Sequence, residues 1–174
     1  MKKNPYTLVF GKEPAQLISR MAQMSMVIDS FCDEIPTQQI YMIAGVRGTG
    51  KTVFMTEIAK KLKSYEDWVV VELNPEKDLL EGLAAKLSSE NNLAQIFKNA
   101  KINLSLFGFG LEVNGVAPIS DIETALSKMF ESLKKHGKRV LITIDEVTCT
   151  KTMREFASAF QIFVRQDQPI FLLM

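Results

Sequence analysis

Apolar residues recur along this chain in two rhythms, short unbroken runs and steps of three and four, and the two alternate. Leu17, Met21, Met24, Ile28 and Phe31 follow at steps of four, three, four and three, which predicts a helix with one apolar face and Pro14 in its first turn. Residues 39–44, from Gln39 through Ile40, Tyr41, Met42 and Ile43 to Ala44, read as a central parallel strand, apolar on both faces. Phe54, Ile58 and Leu62 then line a helix whose Glu57, Lys60, Lys61 and Lys63 face water. Residues 68–73 predict a second buried strand. Asn74 as cap and Pro75 in the first turn open a helix with Leu79, Leu80, Leu83 and Leu87 inside, and a shorter helical piece carries Leu93, Ile96 and Phe97.

Residues 101–116 break the rhythm. Ile102, Leu104 and Leu106 alternate with Asn103 and Ser105, Phe107-Gly108-Phe109-Gly110 turns, and Leu111 and Val113 alternate with Glu112 and Asn114, so an inserted β-hairpin is expected. Ser120-Asp121-Ile122-Glu123 reads as a capping box opening a helix that buries Ile122, Ala125, Leu126, Met129 and Leu133 and ends at Gly137. The single histidine, His136, falls in the last turn, where it favours the helix terminus. Residues 139–144 form an apolar strand that ends in Asp145-Glu146. A helix with Met153, Phe156, Phe160 and Val164 inside follows, and residues 169–174, from Pro169 to Met174, predict a last buried strand. Strands alternating with helices predict an α/β fold with a mostly parallel sheet between helical layers.

Composition narrows the class without changing it. A chain of 174 residues suits one domain, and 47% hydrophobic with 24% charged residues exclude disordered and collagen-like chains. The formal net charge of +1 provides no strong field, so a nucleic-acid partner is left open but not indicated by charge. The lysine clusters at residues 60–63 and 134–139 read as a solvated helix face and a helix C-terminus. No apolar run approaches a membrane span, and the basic start Met1-Lys2-Lys3 is followed by no apolar targeting segment. Cys32 and Cys149 lack ligand spacing, so neither a disulfide nor a zinc site is expected and a reducing cytoplasm is the natural compartment.

The candidate chemistry lies in two stretches. Gly45-Val46-Arg47-Gly48-Thr49-Gly50-Lys51-Thr52 meets the pattern G-x-x-x-x-G-K-[ST] in full, between a predicted strand and a predicted helix. Its glycines let consecutive N–H groups turn toward phosphate oxygens, and the helix opening near Gly50 adds orphan donors and a partial positive charge. Lys51 is placed to reach the β- and γ-phosphates and the Thr52 hydroxyl to ligate Mg²⁺; with Val53, the residues of this turn are the nucleotide-binding candidates. Asp145 and Glu146 stand at the C-terminal end of a strand, where ligands of open α/β sheets bind. Asp145 suits a carboxylate that holds Mg²⁺ through its water shell, and Glu146 a base that polarises the attacking water.

With both stretches in hand the chain resembles the core of AAA-type and STAND ATPases, in particular the archaeal-type ATPase family, over nearly its whole length. The matching residues are Asn4-Pro5-Tyr6 with Phe10-Gly11, residues 44–52, and Leu141-Ile142-Thr143-Ile144-Asp145-Glu146-Val147. The resemblance implies a P-loop three-layer sandwich in one domain: lead-in and first helix over 1–36, core over 37–174, hairpin insertion at about 101–116. It implies a sheet ordered 5-1-4-3-2, with adenine near the lead-in and first helix. In that family a polar sensor, a fifth strand, a helical lid and an arginine from a neighbour follow. This sequence ends at Met174 within the fourth strand, so those parts are expected to be missing and ATPase activity to be weak or inactive. Arg154 and Arg165 are the substitutes at hand. The function implied is an ATP-binding module that takes ATP with Mg²⁺, hydrolyses it slowly as a conformational switch and acts on an unknown protein partner or effector domain.

Two alternatives stand beside it. A small-molecule P-loop kinase shares the phosphate loop, although Asp145-Glu146 favours water as acceptor. A non-catalytic module would keep nucleotide as a structural ligand and dock its partner on the 101–116 hairpin. A first strand lacking its fifth-strand neighbour would expose an apolar edge, from which self-association is expected.

Overall fold

The structure, a computed structural model, describes residues 20–174. The lead-in at Asn4, Pro5, Tyr6, Phe10 and Gly11 and the expected first turn with Pro14 and Leu17 lie outside the described residues. In chain order the elements are α1 (Met21–Cys32), β1 (Ile40–Tyr41), α2 (Lys51–Lys63), β2 (Trp68–Leu73), α3 (Leu79–Ser89), α4 (Asn91–Asn99), α5 (Ile122–Lys135), β3 (Arg139–Ile144), α6 (Lys151–Arg165) and β4 (Ile170–Leu173). The four strands form one all-parallel sheet in the order β1-β4-β3-β2.

Successive side chains of a strand point to opposite faces, and both faces of this sheet are covered. Leu141, Phe171 and Leu173 pack with Val27, Ile28 and Phe31 of α1 and Met55, Ile58 and Leu62 of α2. Val140, Ile142, Ile144, Ile170 and Leu172 point the other way into a larger cluster fed by α3, α4, α5 and α6. Phe31 lies edge-on to Phe171 at 5.1 Å and to Tyr41 at 5.3 Å between ring centroids, and its carbonyl accepts from Arg139 Nη1 at 2.8 Å. These contacts tie the C-terminal end of α1 to the sheet.

Several expectations need correction. The strand at residues 39–44, whose apolar run alone reads as central, lies at one end of the sheet among the described residues, on the flank where the missing fifth strand is expected to leave an edge. It bonds to β4 through Leu172 N–H to Gln39 O, Met174 N–H to Tyr41 O and Ile43 N–H to Met174 O, while its other side carries no strand among the described residues. Ile40 and Met42 are accordingly 43% and 70% exposed. An apolar run reads the same whether or not a further strand flanks it.

No β-hairpin forms at 101–116. A 3-10 turn spans Ser105–Phe107, and one backbone bond, Leu104 N–H to Leu111 O at 2.8 Å, crosses the loop. The physical reason is Asn103, which is buried. Its Oδ1 accepts from Ser105 N–H at 3.0 Å and its Nδ2 donates to Val116 O at 2.7 Å, so a side chain takes the bonds that a ladder would need. Ile102, Leu104 and Leu111 still face the core, as alternation requires.

Helix starts move by a few residues. Asn74 Oδ1 accepts from Glu76 N–H in a turn, and α3 is capped by Asp78, which accepts from Glu81 N–H. Met21, placed on the apolar face of the first helix, is 72% exposed, because α1 turns Val27, Ile28 and Phe31 inward instead. The cap of α5 is Asp121 rather than Ser120, with the Thr124 N–H donating to its carboxylate at 2.7 Å. Those bonds from Thr124, side chain first, hold the Asp121 carboxyl below its ordinary pKa. A lowered folded pKa means the cap's stabilisation is present above the unfolded carboxylate pKa and is lost as pH falls through the folded value. Asp121→Ala is expected to destabilise the fold by about 1 kcal/mol at neutral pH, with the difference from wild type narrowing as acid protonates the carboxyl through its lowered folded pKa; urea melts at neutral and acid pH check it.

Candidate functional site

The site forms where β1 and β3 reach their C-terminal ends. After β1 the chain turns through residues 45–50, and Gly48 and Gly50 hold φ of +84° and +78°, a left-handed backbone that glycine adopts without side-chain cost. Gly50 caps α2, whose first intrahelical bond runs from Phe54 N–H to Gly50 O at 3.0 Å. The N–H groups of Lys51, Thr52 and Val53 precede that bond, so they are the orphan donors a helix start offers to an anion. Thr49 Oγ1 donates to Val46 O at 2.9 Å and pins the turn from within. Val46 and Arg47 are exposed.

Lys51 Nζ folds back over this turn, donating to Gly45 O at 2.9 Å and Val46 O at 3.1 Å. A phosphate can exchange for these neutral carbonyls with a gain, because hydrogen bonds between ionised partners are roughly twice as strong.

The two stretches singled out in the sequence meet directly. Thr52 Oγ1 donates to Asp145 Oδ2 at 2.6 Å, across 93 residues of chain. Asp145 follows β3 immediately, and its other oxygen accepts the backbone N–H of Glu146 at 2.9 Å. Glu146 carries φ of +52°, unusual for a residue with a side chain, and is exposed. The bond to Asp145 holds that turn.

A cleft of about 380 Å³ adjoins the pair, lined by Thr52, Thr56, Glu72, Lys86, Thr143 and Asp145. Glu72 and Thr143 are register partners on β2 and β3. They form a polar strip on the sheet, and the Lys86 ammonium donates to the Glu72 carbonyl at its rim. Among the described residues no group of three His, Cys, Asp or Glu could hold a metal ion. A hydroxyl beside one carboxylate is instead the hard-oxygen pair that suits Mg²⁺, which keeps most of its waters and takes the rest of its shell from substrate phosphates.

Sequence reasoning missed two features of this site. Arg20 Nη2 donates to Thr49 O at 2.8 Å, and no local pattern marks a bond across 29 residues. Glu72 entered only as the polar residue of a buried strand. Arg154 is an exposed residue in the first half of α6, and Arg165 lies in the last turn of that helix, at the end away from Asp145.

Burial raises the Cys32 thiol above its ordinary pKa, against an opposing pull from Arg139, which makes it a poor nucleophile. No helix among the described residues is long and apolar enough to cross a membrane.

The family described as an ATPase domain predominantly from Archaea matches residues 28–166, a stretch that takes in the glycine-rich turn, the Thr52–Asp145 contact and Glu146. A search of curated proteins finds no match.

Proposed function

Because the chain belongs to the family of ATPase domains found predominantly in Archaea, we propose that it is a nucleotide-binding module of AAA or STAND type that takes ATP with Mg²⁺ at residues 45–53 and hydrolyses it slowly as a conformational switch. The observation that carries this reading is the 2.6 Å bond between Thr52 and Asp145, which brings the helix start and the strand end to one point. Backbone N–H groups of the turn and of α2 cradle the phosphates, and Lys51 neutralises the β- and γ-oxygens. Thr52 and, through water, Asp145 are the residues that would hold Mg²⁺, which supplies charge neutralisation across those oxygens. Glu146 orients a water toward the γ-phosphorus and accepts its proton as the new P–O bond forms and the bond to the β-phosphate oxygen breaks. Phosphate release measured with ATP alone and with a candidate hydroxyl acceptor tests it. Turnover that needs the acceptor would make the protein a kinase, and nucleotide binding with no turnover would make it a non-catalytic module.

The same reading extends to assembly. A core ordered 5-1-4-3-2 places a fifth strand beside β1, the flank that carries no strand among the described residues. Exposed Ile40 and Met42 lie along it with no charge or proline to discourage pairing. The 174-residue chain, read as a cytoplasmic protein, is therefore expected to self-associate there or to dock an effector. Light scattering should give an apparent mass that rises with concentration, and Met42→Lys should lower it. A wild type that stays monomeric throughout would rule out the edge as a self-pairing surface.

A further inference from the structure

Arg20 stands outside the phosphate-loop motif yet reaches into it. Its Nη2 donates to the carbonyl oxygen of Thr49 at 2.8 Å. The helix that delivers it is anchored, since Val27, Ile28 and Phe31 of α1 are buried with Met55 and Ile58 of α2, and Met24 N–H closes the first turn on Arg20 O at 3.0 Å. Arg20 is the exposed N-cap residue of α1, so the guanidinium is presented from the start of a helix whose later turns are packed. Thr49 is also held by its own hydroxyl, which donates to Val46 O.

The consequence follows from peptide geometry. In a planar trans peptide the C=O and the next N–H point in opposite directions. Turning the Thr49 carbonyl toward Arg20 turns the Gly50 N–H away from α1. Both glycines that flank Thr49 sit in the left-handed region, and glycine crosses between backbone regions more readily than any other residue. A peptide next to Gly50 can therefore flip unless something outside the turn holds it. A flipped Thr49–Gly50 peptide presents a carbonyl oxygen where the N–H stood, and an oxygen repels phosphate.

We infer that Arg20 is a positioning residue for nucleotide binding, fixing the Thr49–Gly50 peptide so that the Gly50 N–H is kept as a donor to the phosphates. The inference rests on the ATP-binding reading above. Arg20 acts through the loop and not on the nucleotide: it removes conformers that cannot bind, and affinity falls by the fraction of competent molecules lost without it.

The test is calorimetric titration of ATP with Mg²⁺ into wild type, Arg20→Ala and Arg20→Lys at two salt concentrations, with thermal melting of each. Arg20→Ala should raise the ATP Kd about tenfold, the scale of one exposed hydrogen bond from a charged donor. Its melting midpoint and its salt dependence of ATP binding should match wild type, and Arg20→Lys, which keeps a donor, should recover most of the affinity. An unchanged Kd in Arg20→Ala overturns the inference. So does a weaker affinity with a shallower salt dependence, which would mark Arg20 as a charge facing the phosphates, and so does a lowered melting midpoint, which would make it a prop for the fold. A wild type that binds no ATP overturns the parent reading instead.

Discussion

Lys51→Ala is expected to weaken ATP binding on the order of 100-fold, the factor that corresponds to losing roughly 3 kcal/mol of charge-assisted hydrogen bonding. The ammonium lies 2.9 Å from Gly45 O and 3.1 Å from Val46 O, at the turn itself, so on the proposed reading its removal takes away the cation meant for the β- and γ-phosphates. The fold should survive, since both partners of that ammonium are exposed carbonyls that water can satisfy. Titration calorimetry on the two proteins gives the ratio, and circular dichroism melts confirm that both are folded. Equal dissociation constants would remove residues 45–53 from the nucleotide site.

Glu146→Gln should bind ATP with Mg²⁺ as wild type does but release phosphate roughly 100-fold more slowly, the usual scale for a general base. The substitution is well matched to the structure. Glutamine keeps the size of the side chain and carries the same cost at φ of +52°, and the bond that holds this turn comes from the backbone N–H to Asp145 Oδ1 and is not changed. A loss of rate would therefore report the missing carboxylate. Single-turnover phosphate release measures it, and a mutant as fast as wild type would show that another group activates the water. Glu72, in the cleft beside Thr52 and Asp145, would then be the carboxylate to replace next.

The features read correctly from sequence are those whose cause is local. The turn at 45–52 needs glycine where φ is positive and a helix directly after it, and both demands are written in adjacent residues. Asp145-Glu146 could be placed at a strand end because the apolar run of β3 stops there. The alternation of strands with helices is equally plain, since parallel strands covered on both faces read as near-continuous apolar runs even with Glu72 and Thr143 among them.

Features that depend on partners distant in sequence were not legible. The exposure of Ile40 and Met42 depends on what lies beside β1, so in the apolar run alone they look like core residues, and only the strand order implied by the resemblance points to an edge there. The loop at 101–116 has the alternation of a hairpin, but one buried asparagine diverts its backbone, an outcome fixed by which of its polar groups lose water. Arg20 carries no local signal, because its partner is a carbonyl 29 residues away.

The central claim, that Thr52 and Asp145 join the glycine-rich turn to the end of β3 as one Mg²⁺-dependent nucleotide site, is tested most directly by titrating ATP into the wild-type chain with Mg²⁺ and again with a chelator. Saturable one-to-one binding that weakens when Mg²⁺ is withdrawn is the predicted result. Absence of binding, or binding of equal strength with and without Mg²⁺, would contradict it.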